Sequence, residues 1–235
     1  MGLNTLKPKG AAPEELIRSG TRGAGMRIVL ASESESRRRA LDILGLKYEV
    51  RPSGIDERAI RDLDPSVMTR KLAEAKAWAV VRSLASGELS LAAGAPSGVT
   101  AGGADAGPAV VVAGDAVVVK EGRIFEKPRS VQEAMAFLHE LSGSALRFVT
   151  SLVVIRTDTQ KVLSTVEISS IRFRELVERE IRDYVMRYPV LQFAGAFEGD
   201  GVQRFAESVS GSYNFLTGVP VSRLAVFLRE QGVAV

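Results

Sequence analysis

The chain has 235 residues, of which 46% are hydrophobic and 25% are charged, a composition typical of a soluble globular protein with one domain or one two-lobed domain. The sequence has no cysteine and one histidine, His139, which excludes a disulfide framework, a thiol nucleophile and metal sites built from cysteines or several histidines. The formal net charge is +3 and residues 1–25 carry most of it, so the composition gives little support for nucleic-acid binding.

Residues 1–25 are rich in glycine, proline, lysine and arginine and lack a sustained apolar period, which predicts a flexible basic extension. This segment lacks the apolar stretch of a signal peptide, and no apolar run in the chain reaches the roughly 18 residues of a membrane span. We therefore expect a cytoplasmic protein without a membrane partner, with one folded domain over residues 26–235.

Predicted strands and helices alternate in the first part of that domain. MRIVLAS has the continuous apolar character of a buried strand, and SRRRALDILG predicts a helix that ends at Gly45. KYEVRPSG predicts a second strand, which enters a loop with two acidic residues. Asp64 and Pro65 suit the cap and the first position of a long helix that runs to about Leu84.

The segment 86–108 is rich in glycine, alanine and serine. It predicts a low-complexity surface insertion, because few large apolar groups are present to offset the ordering entropy. AVVVAGDAVVV then predicts a buried strand, which a turn at 121–122 joins as a hairpin to RIFEKP. SVQEAMAFLHELSG predicts an amphipathic helix between Ser130 and Gly143.

Two long β segments, LRFVTSLVVIRT and KVLSTVEISSIRF, come next. We expect a charged helix over 175–188, and the loop LQFAGAFEGDG then holds Asp200 in a turn. A short β segment and a last helix, SRLAVFLREQG, follow. Helices interleaved with strands, some of them in hairpins, predict an α/β fold with a mixed sheet.

Three consecutive arginines, residues 37–39, open the first predicted helix. Helix N-termini carry partial positive charge and free N–H groups, which favour anions. Arginines at this end could bind phosphate oxygens bidentately. The alternative is that they pair on the surface with Glu33, Glu35 and Asp42.

Asp115 interrupts an apolar run that predicts full burial. A buried ionised carboxylate is costly unless it is paired or binds a metal; the alternative is a strand-end aspartate bonded to backbone. Lys127, across the predicted hairpin, and Lys76, at the edge of its helix's apolar face, are candidate cations. Each of these lysines alone would also fit a solvated surface position.

Cations alongside carboxylates, without a thiol or a histidine relay, suit phosphate chemistry, in which carboxylates hold Mg²⁺ or Mn²⁺ or orient water. The sequence contains no GxxxxGK[ST], HExxH or GxSxG motif, and no GxGxxG motif follows a predicted strand. His139 falls on the polar side of its predicted helix. We therefore interpret it as a surface residue, which argues against a serine hydrolase triad.

From about residue 26 to 232, apart from the insertion, the sequence resembles the Maf (septum-formation) family of nucleoside triphosphate pyrophosphatases. The markers occur in family order: LASESESRRRALDILGL, IDE, LAEAK, GD, KP, AGAF and GSYNFLTGVPVSRL. The resemblance implies a two-lobed, elongated Maf/ITPase-like architecture with a central cleft, commonly in a homodimer. It also implies hydrolysis of nucleoside triphosphates, such as dTTP, UTP or 7-methyl-GTP, to monophosphate and pyrophosphate with Mg²⁺ or Mn²⁺.

The resemblance also assigns roles to single residues. Those that match the family's substrate-binding positions are Ser32, Arg37, Arg38, Lys76 and Asp200. Those that match its catalytic positions are Asp115, Glu57 and Lys127. The metal positions of the family match Glu57 and Asp115.

Five departures from the family pattern bear on rate and base preference. One is EGD at 198–200, which replaces the IQG of one branch of the family and is nearer the SEG of the branch linked to 7-methyl-GTP. Glu35 replaces the usual proline and Arg39 is an extra arginine. Ala116 replaces a polar residue after the aspartate, and Glu126 replaces the glycine before Lys127. Two other functions stay open: a non-catalytic nucleotide-binding regulator of cell division, and a nucleic-acid-binding protein that uses residues 1–25 and loses affinity steeply with salt.

Overall fold

A computed structural model describes residues 26–87 and 107–235. The predicted extension over 1–25 and most of the predicted insertion over 86–108 lie outside the described residues. The strands are β1 (Arg27–Leu30), β2 (Glu49–Val50), β3 (Ala109–Lys120), β4 (Arg123–Phe125), β5 (Ala145–Arg156), β6 (Val162–Phe173) and β7 (Ala206–Ser210). The helices are α1 (Glu35–Ile43), α2 (Pro65–Ser86), α3 (Val131–Leu141), α4 (Glu178–Arg187), α5 (Gly199–Phe205) and α6 (Val221–Glu230).

The strands form one mixed sheet in the order β2-β1-β3-β5-β6-β7, with β4 paired to β3, which confirms the predicted α/β class. β1 runs parallel to β2 and β3, and the other pairs are antiparallel. On one side, β3 pairs with β1 up to Val112 and with β4 from Val118 onward. Residues 113–117 therefore pair with β5 alone among the described strands, which leaves an opening beside Asp115.

Apolar cores lie at both ends of the long strands. Around the parallel end, α1 and α6 cover one face with Leu41 and Leu224, and α2 covers the other with Ala77. At the other end, α3 and α4 enclose an aromatic core that includes Phe173 and Phe197. The opening in the sheet lies between these two packed regions, where β1 ends and β4 begins.

The helix starts predicted at Asp64–Pro65 and Ser130, and the predicted hairpin, are confirmed. Asp64 accepts a hydrogen bond from the backbone N–H of Ser66 at 2.7 Å, and Ser130 accepts one from Glu133 at 3.1 Å. β3 and β4 pair antiparallel around the turn at 121–122. No helix among the described residues is both long and apolar enough to cross a membrane.

The prediction that Asp200 lies in a turn is wrong, because it belongs to the first turn of α5. Glycines disfavour helix, and two of them flank Asp200. A Cβ on Gly199 would lie 2.4 Å from Leu216 Cδ2, and one on Gly201 would lie 2.4 Å from Tyr184 Oη. Close tertiary packing thus requires these glycines, and burial of Val202 stabilises the helix against their low propensity.

Candidate functional site

A cavity of about 670 Å³ opens beside residues 113–117 of β3. The turn between β1 and α1, the segment 52–61, α2, β3 and the loop after β4 all contribute to its walls. Six of the eight residues expected at the site line it: Ser32, Arg37, Glu57, Lys76, Asp115 and Lys127. The structure therefore brings together residues that are separated by up to 95 positions in the sequence. We call this space the phosphate cavity.

Lys76 lies at the centre of the charge arrangement. Its Nζ is 2.7 Å from Asp115 Oδ1 and 2.9 Å from Glu57 Oε2. Lys76 is 5% exposed and Asp115 is 6% exposed, so Lys76 is a buried cation and not a solvated helical lysine. Its helix is fixed to the sheet because Ser151, opposite Asp115 on β5, donates a hydrogen bond to the Thr69 carbonyl at 2.6 Å.

The Arg37 guanidinium lines the phosphate cavity, and few protein groups compensate for its loss of hydration. Its Nη1 donates to Ser32 Oγ at 3.0 Å, whereas Nε is buried without a hydrogen-bond partner among the described residues. Desolvation lowers the pKa of Arg37, and the charges of Asp115 and Glu57 only partly oppose this. A desolvated guanidinium with unused donors is suited to bind an anion.

Gly114 makes room for Arg37. A Cβ at this position would lie 2.5 Å from Val219 Cγ1, 2.9 Å from the Ser151 carbonyl oxygen and 3.3 Å from Arg37 Nε. Because one of these neighbours is backbone, a larger residue would force the strand, the arginine or the loop at Val219 to shift. In the GD motif, Gly114 thus allows the close approach of Arg37, and Asp115 supplies a carboxylate at the next position.

The N-terminus of α1 leaves donors for a ligand. Ser34 occupies the cap position, but its side chain makes no capping hydrogen bond, and its own N–H donates to Ser32 Oγ at 3.2 Å. Both serines line the phosphate cavity. Free N–H groups at a helix start favour phosphate oxygens.

The surface pairing considered for the three arginines is not observed among the described residues. Asp42 instead accepts a hydrogen bond from Tyr48 Oη at 3.0 Å, and burial with this bond raises the Tyr48 pKa to about 12. Arg38 Nε is buried without a partner among the described residues, but Arg38 is not one of the residues that line the phosphate cavity.

Glu57 and Lys127 complete the charged lining. Burial acts to raise the Glu57 pKa, but the charge and hydrogen bond of Lys76, with the charges of Lys127 and Arg37, bring it below its ordinary value. Desolvation, and then the charges of Arg37 and Lys76, lower the Lys127 pKa. The cations are crowded, so a polyanionic ligand would relieve their mutual repulsion.

Asp200 lies apart from this arrangement. It lines a second cavity of about 520 Å³, together with Arg39 from α1 and Tyr213 and Thr217 from the loop after β7. The structure therefore does not bring Asp200 to the phosphate cavity. Sequence reasoning also missed three arginines that line the phosphate cavity: Arg58, Arg61 and Arg129. Arg58 and Arg61 follow Glu57 closely in the sequence, and this proximity to a predicted site residue was the signal that could have identified them.

The sequence model of the family described as Maf-like protein matches residues 27–231. The chain belongs to this family. It is 31% identical over 211 residues to a dTTP/UTP pyrophosphatase of Thermotoga petrophila, covering 88% of this chain and 90% of the relative. It is 32% identical over 208 residues to a 7-methyl-GTP pyrophosphatase of Idiomarina loihiensis, covering 88% and 95%. The Ham1 protein of Staphylococcus aureus matches with a TM-score of 0.46 and 11% identity, over 87% of this chain and 99% of that one.

Two carboxylates of the phosphate cavity, Glu57 and Asp115, are the candidates to contact a metal ion. Among the described residues there is no group of three or more histidine, cysteine or acidic side chains that could hold a metal. Glu57 and Asp115 both contact the Lys76 ammonium, so their carboxylates are close enough together for one metal ion to contact both. Mg²⁺ is commonly bound by one or two carboxylates, with substrate phosphates as further ligands. Glu57 and Asp115 could therefore supply part of the ligand set of a metal ion, and other ligands would have to complete it.

Proposed function

We propose that this Maf-like protein is a nucleoside triphosphate pyrophosphatase, which hydrolyses an ordinary or modified nucleoside triphosphate to monophosphate and pyrophosphate. The observation that carries the proposal is the convergence of three cations and two carboxylates in one cavity: Arg37, Lys76, Lys127, Glu57 and Asp115. The names of the relatives, dTTP/UTP pyrophosphatase and 7-methyl-GTP pyrophosphatase, support the same reaction.

The phosphate chain binds to Ser32, Arg37, Lys76 and Lys127 and to the free N–H groups at the start of α1. Arg37 is the strongest of these contacts, because its desolvated guanidinium loses little hydration when a phosphate binds. Arg38, which does not line the phosphate cavity, would contribute positive charge at longer range. Asp200 would contact the nucleoside end of the substrate rather than its phosphates, since it lies in the second cavity.

Asp115 orients the water that attacks the α-phosphorus and accepts its proton. Lys76 fixes the Asp115 carboxylate through the 2.7 Å contact, so the base is held in place before the substrate binds. Glu57 and Asp115 would hold Mg²⁺ or Mn²⁺, which when bound stabilises negative charge on the phosphate oxygens. Pyrophosphate leaves with its charge shared by Arg37 and Lys127.

A second function is favoured by one residue. Ala116 lines the phosphate cavity beside Asp115 and offers no polar group there. A non-catalytic regulator of cell division or septum formation would bind triphosphates at this site and release no pyrophosphate. By the family resemblance we further propose a homodimer in which residues 26–235 form one two-lobed domain. The sequence composition supports the further proposal of a cytoplasmic protein with neither nucleic acid nor membrane as a partner.

The two functions are separated by pyrophosphate release from a panel of ordinary and methylated nucleoside triphosphates. We expect release that requires Mg²⁺ or Mn²⁺, stops in EDTA and is selective for a few bases. Folded protein that binds triphosphates and releases no pyrophosphate from any of them would support the regulator.

A further inference from the structure

An ion pair joins two lining residues of the phosphate cavity from opposite segments. Arg61 Nη1 lies 3.1 Å from Glu126 Oε1, and the two side chains are 48% and 50% exposed. Arg61 follows the short 3₁₀ helix Glu57–Ala59, whereas Glu126 directly precedes Lys127. The pair therefore links the segment that carries one acidic site residue to the loop that carries one basic site residue.

Glu126 has a different partner from the other acids of the site. Glu57 and Asp115 are paired with the buried Lys76. Glu126 instead pairs with a half-exposed arginine, and it directly precedes Lys127 in the sequence. Ion pairs between exposed side chains are weak, whereas a phosphate can bind a guanidinium through two hydrogen bonds. The Arg61 guanidinium is thus free to exchange its carboxylate for a phosphate.

We propose that Arg61 is a further phosphate-binding residue and that Glu126 competes with the ligand for it. The proposal rests on the proposed function in so far as the ligand is the polyphosphate chain of its substrate. The exchange needs side-chain rotation only, because the Glu126 carbonyl is fixed by the Gly195 N–H at 3.1 Å. Within the described part of the chain, the other hydrogen bonds of Arg61 Nη1 are longer, to the carbonyls of Ile60 at 3.3 Å and Glu57 at 3.5 Å.

Competition and a structural role predict different signs for two substitutions. If Glu126 competes, Glu126→Gln frees Arg61 and strengthens phosphate binding, whereas Arg61→Gln weakens it. If the ion pair instead holds the two segments in place and so shapes the phosphate cavity, both substitutions weaken phosphate binding. If the pair is merely solvated, neither has an effect.

The test is calorimetric titration of the full chain with inorganic tripolyphosphate. We expect the Kd to fall about three- to tenfold in Glu126→Gln and to rise by a similar factor in Arg61→Gln, as for one exposed charge near a polyanion. A matched control pair is Arg172 and Glu207, 3.4 Å apart with side chains 55% and 64% exposed, outside both cavities. Glu207→Gln and Arg172→Gln make the same charge changes and should leave the Kd nearly unchanged.

Changes of the same sign in the two cavity variants, no change in either, or no tripolyphosphate binding by the unmodified chain would overturn the proposal. Binding is measured without turnover, so the outcome is independent of catalysis. If the unmodified chain binds tripolyphosphate and the two signs are opposite, but no nucleotide yields pyrophosphate, the proposed function fails and Arg61 keeps its role. If hydrolysis occurs and Glu126→Gln does not tighten binding, the competition fails alone.

Discussion

Asp115→Asn is expected to reduce kcat by about a thousandfold or more while the protein stays folded. The carboxylate is the proposed base, and an amide can neither accept the proton of the attacking water nor attract a metal ion as strongly. The Asn side chain retains an oxygen in place of the Asp115 Oδ1 that Lys76 contacts at 2.7 Å, so the geometry of the buried pair can persist. The measurement is steady-state pyrophosphate release at saturating substrate.

The same substitution should lower the melting temperature by several degrees, because a buried ammonium loses one of its two negative partners. The matched control is Asp183→Asn, which removes a carboxylate from the exposed face of α4, where Arg179 is its partner at 3.9 Å. This control should change neither kcat nor the melting temperature appreciably. Near-normal kcat in Asp115→Asn would remove Asp115 from catalysis.

Arg37→Met is expected to lower kcat/KM about a hundredfold or more, mainly through KM, since it removes a phosphate contact whose Nε is buried without a hydrogen-bond partner among the described residues. Methionine keeps an aliphatic chain in the space beside Gly114 and Val219. Desolvation lowers the Arg37 pKa, so the positive charge is unfavourable in the ligand-free fold at neutral pH. The melting temperature should therefore stay the same or rise, although affinity is lost.

The control for Arg37 is Arg39→Met on the same helix. Arg39 lines the second cavity and not the phosphate cavity, so tripolyphosphate binding should change by no more than about twofold. A large fall in melting temperature for Arg37→Met, with KM unaltered, would assign Arg37 a structural role and leave the phosphates without their main contact.

Local patterns in the sequence predicted most of the elements, because each has a clear physical signal. The continuous apolar run around Asp115 predicted a buried strand, and the Asp64–Pro65 pair located the start of α2. These signals depend on neighbouring residues alone. α5 was missed because its stability comes from packing on Tyr184 and Leu216, which lie elsewhere in the sequence.

The site was predictable as a set of residues but not as a geometry. Family order identified Arg37, Lys76 and Asp115, whereas the opening in the sheet beside Asp115 depends on where β1 and β4 stop pairing with β3. Strand registers of this kind are long-range properties. The pairing of Glu126 with Arg61 could not be predicted either, since the two residues are 65 positions apart in the chain.

Cleavage between the α- and β-phosphates is tested most directly by following the oxygen of water. The substrate that the panel hydrolyses fastest would be turned over in ¹⁸O-labelled water with Mg²⁺, and the products analysed by mass spectrometry. Attack at the α-phosphorus predicts one labelled oxygen in the nucleoside monophosphate and none in the pyrophosphate. Label in pyrophosphate, or release of orthophosphate with nucleoside diphosphate, would contradict the proposed reaction.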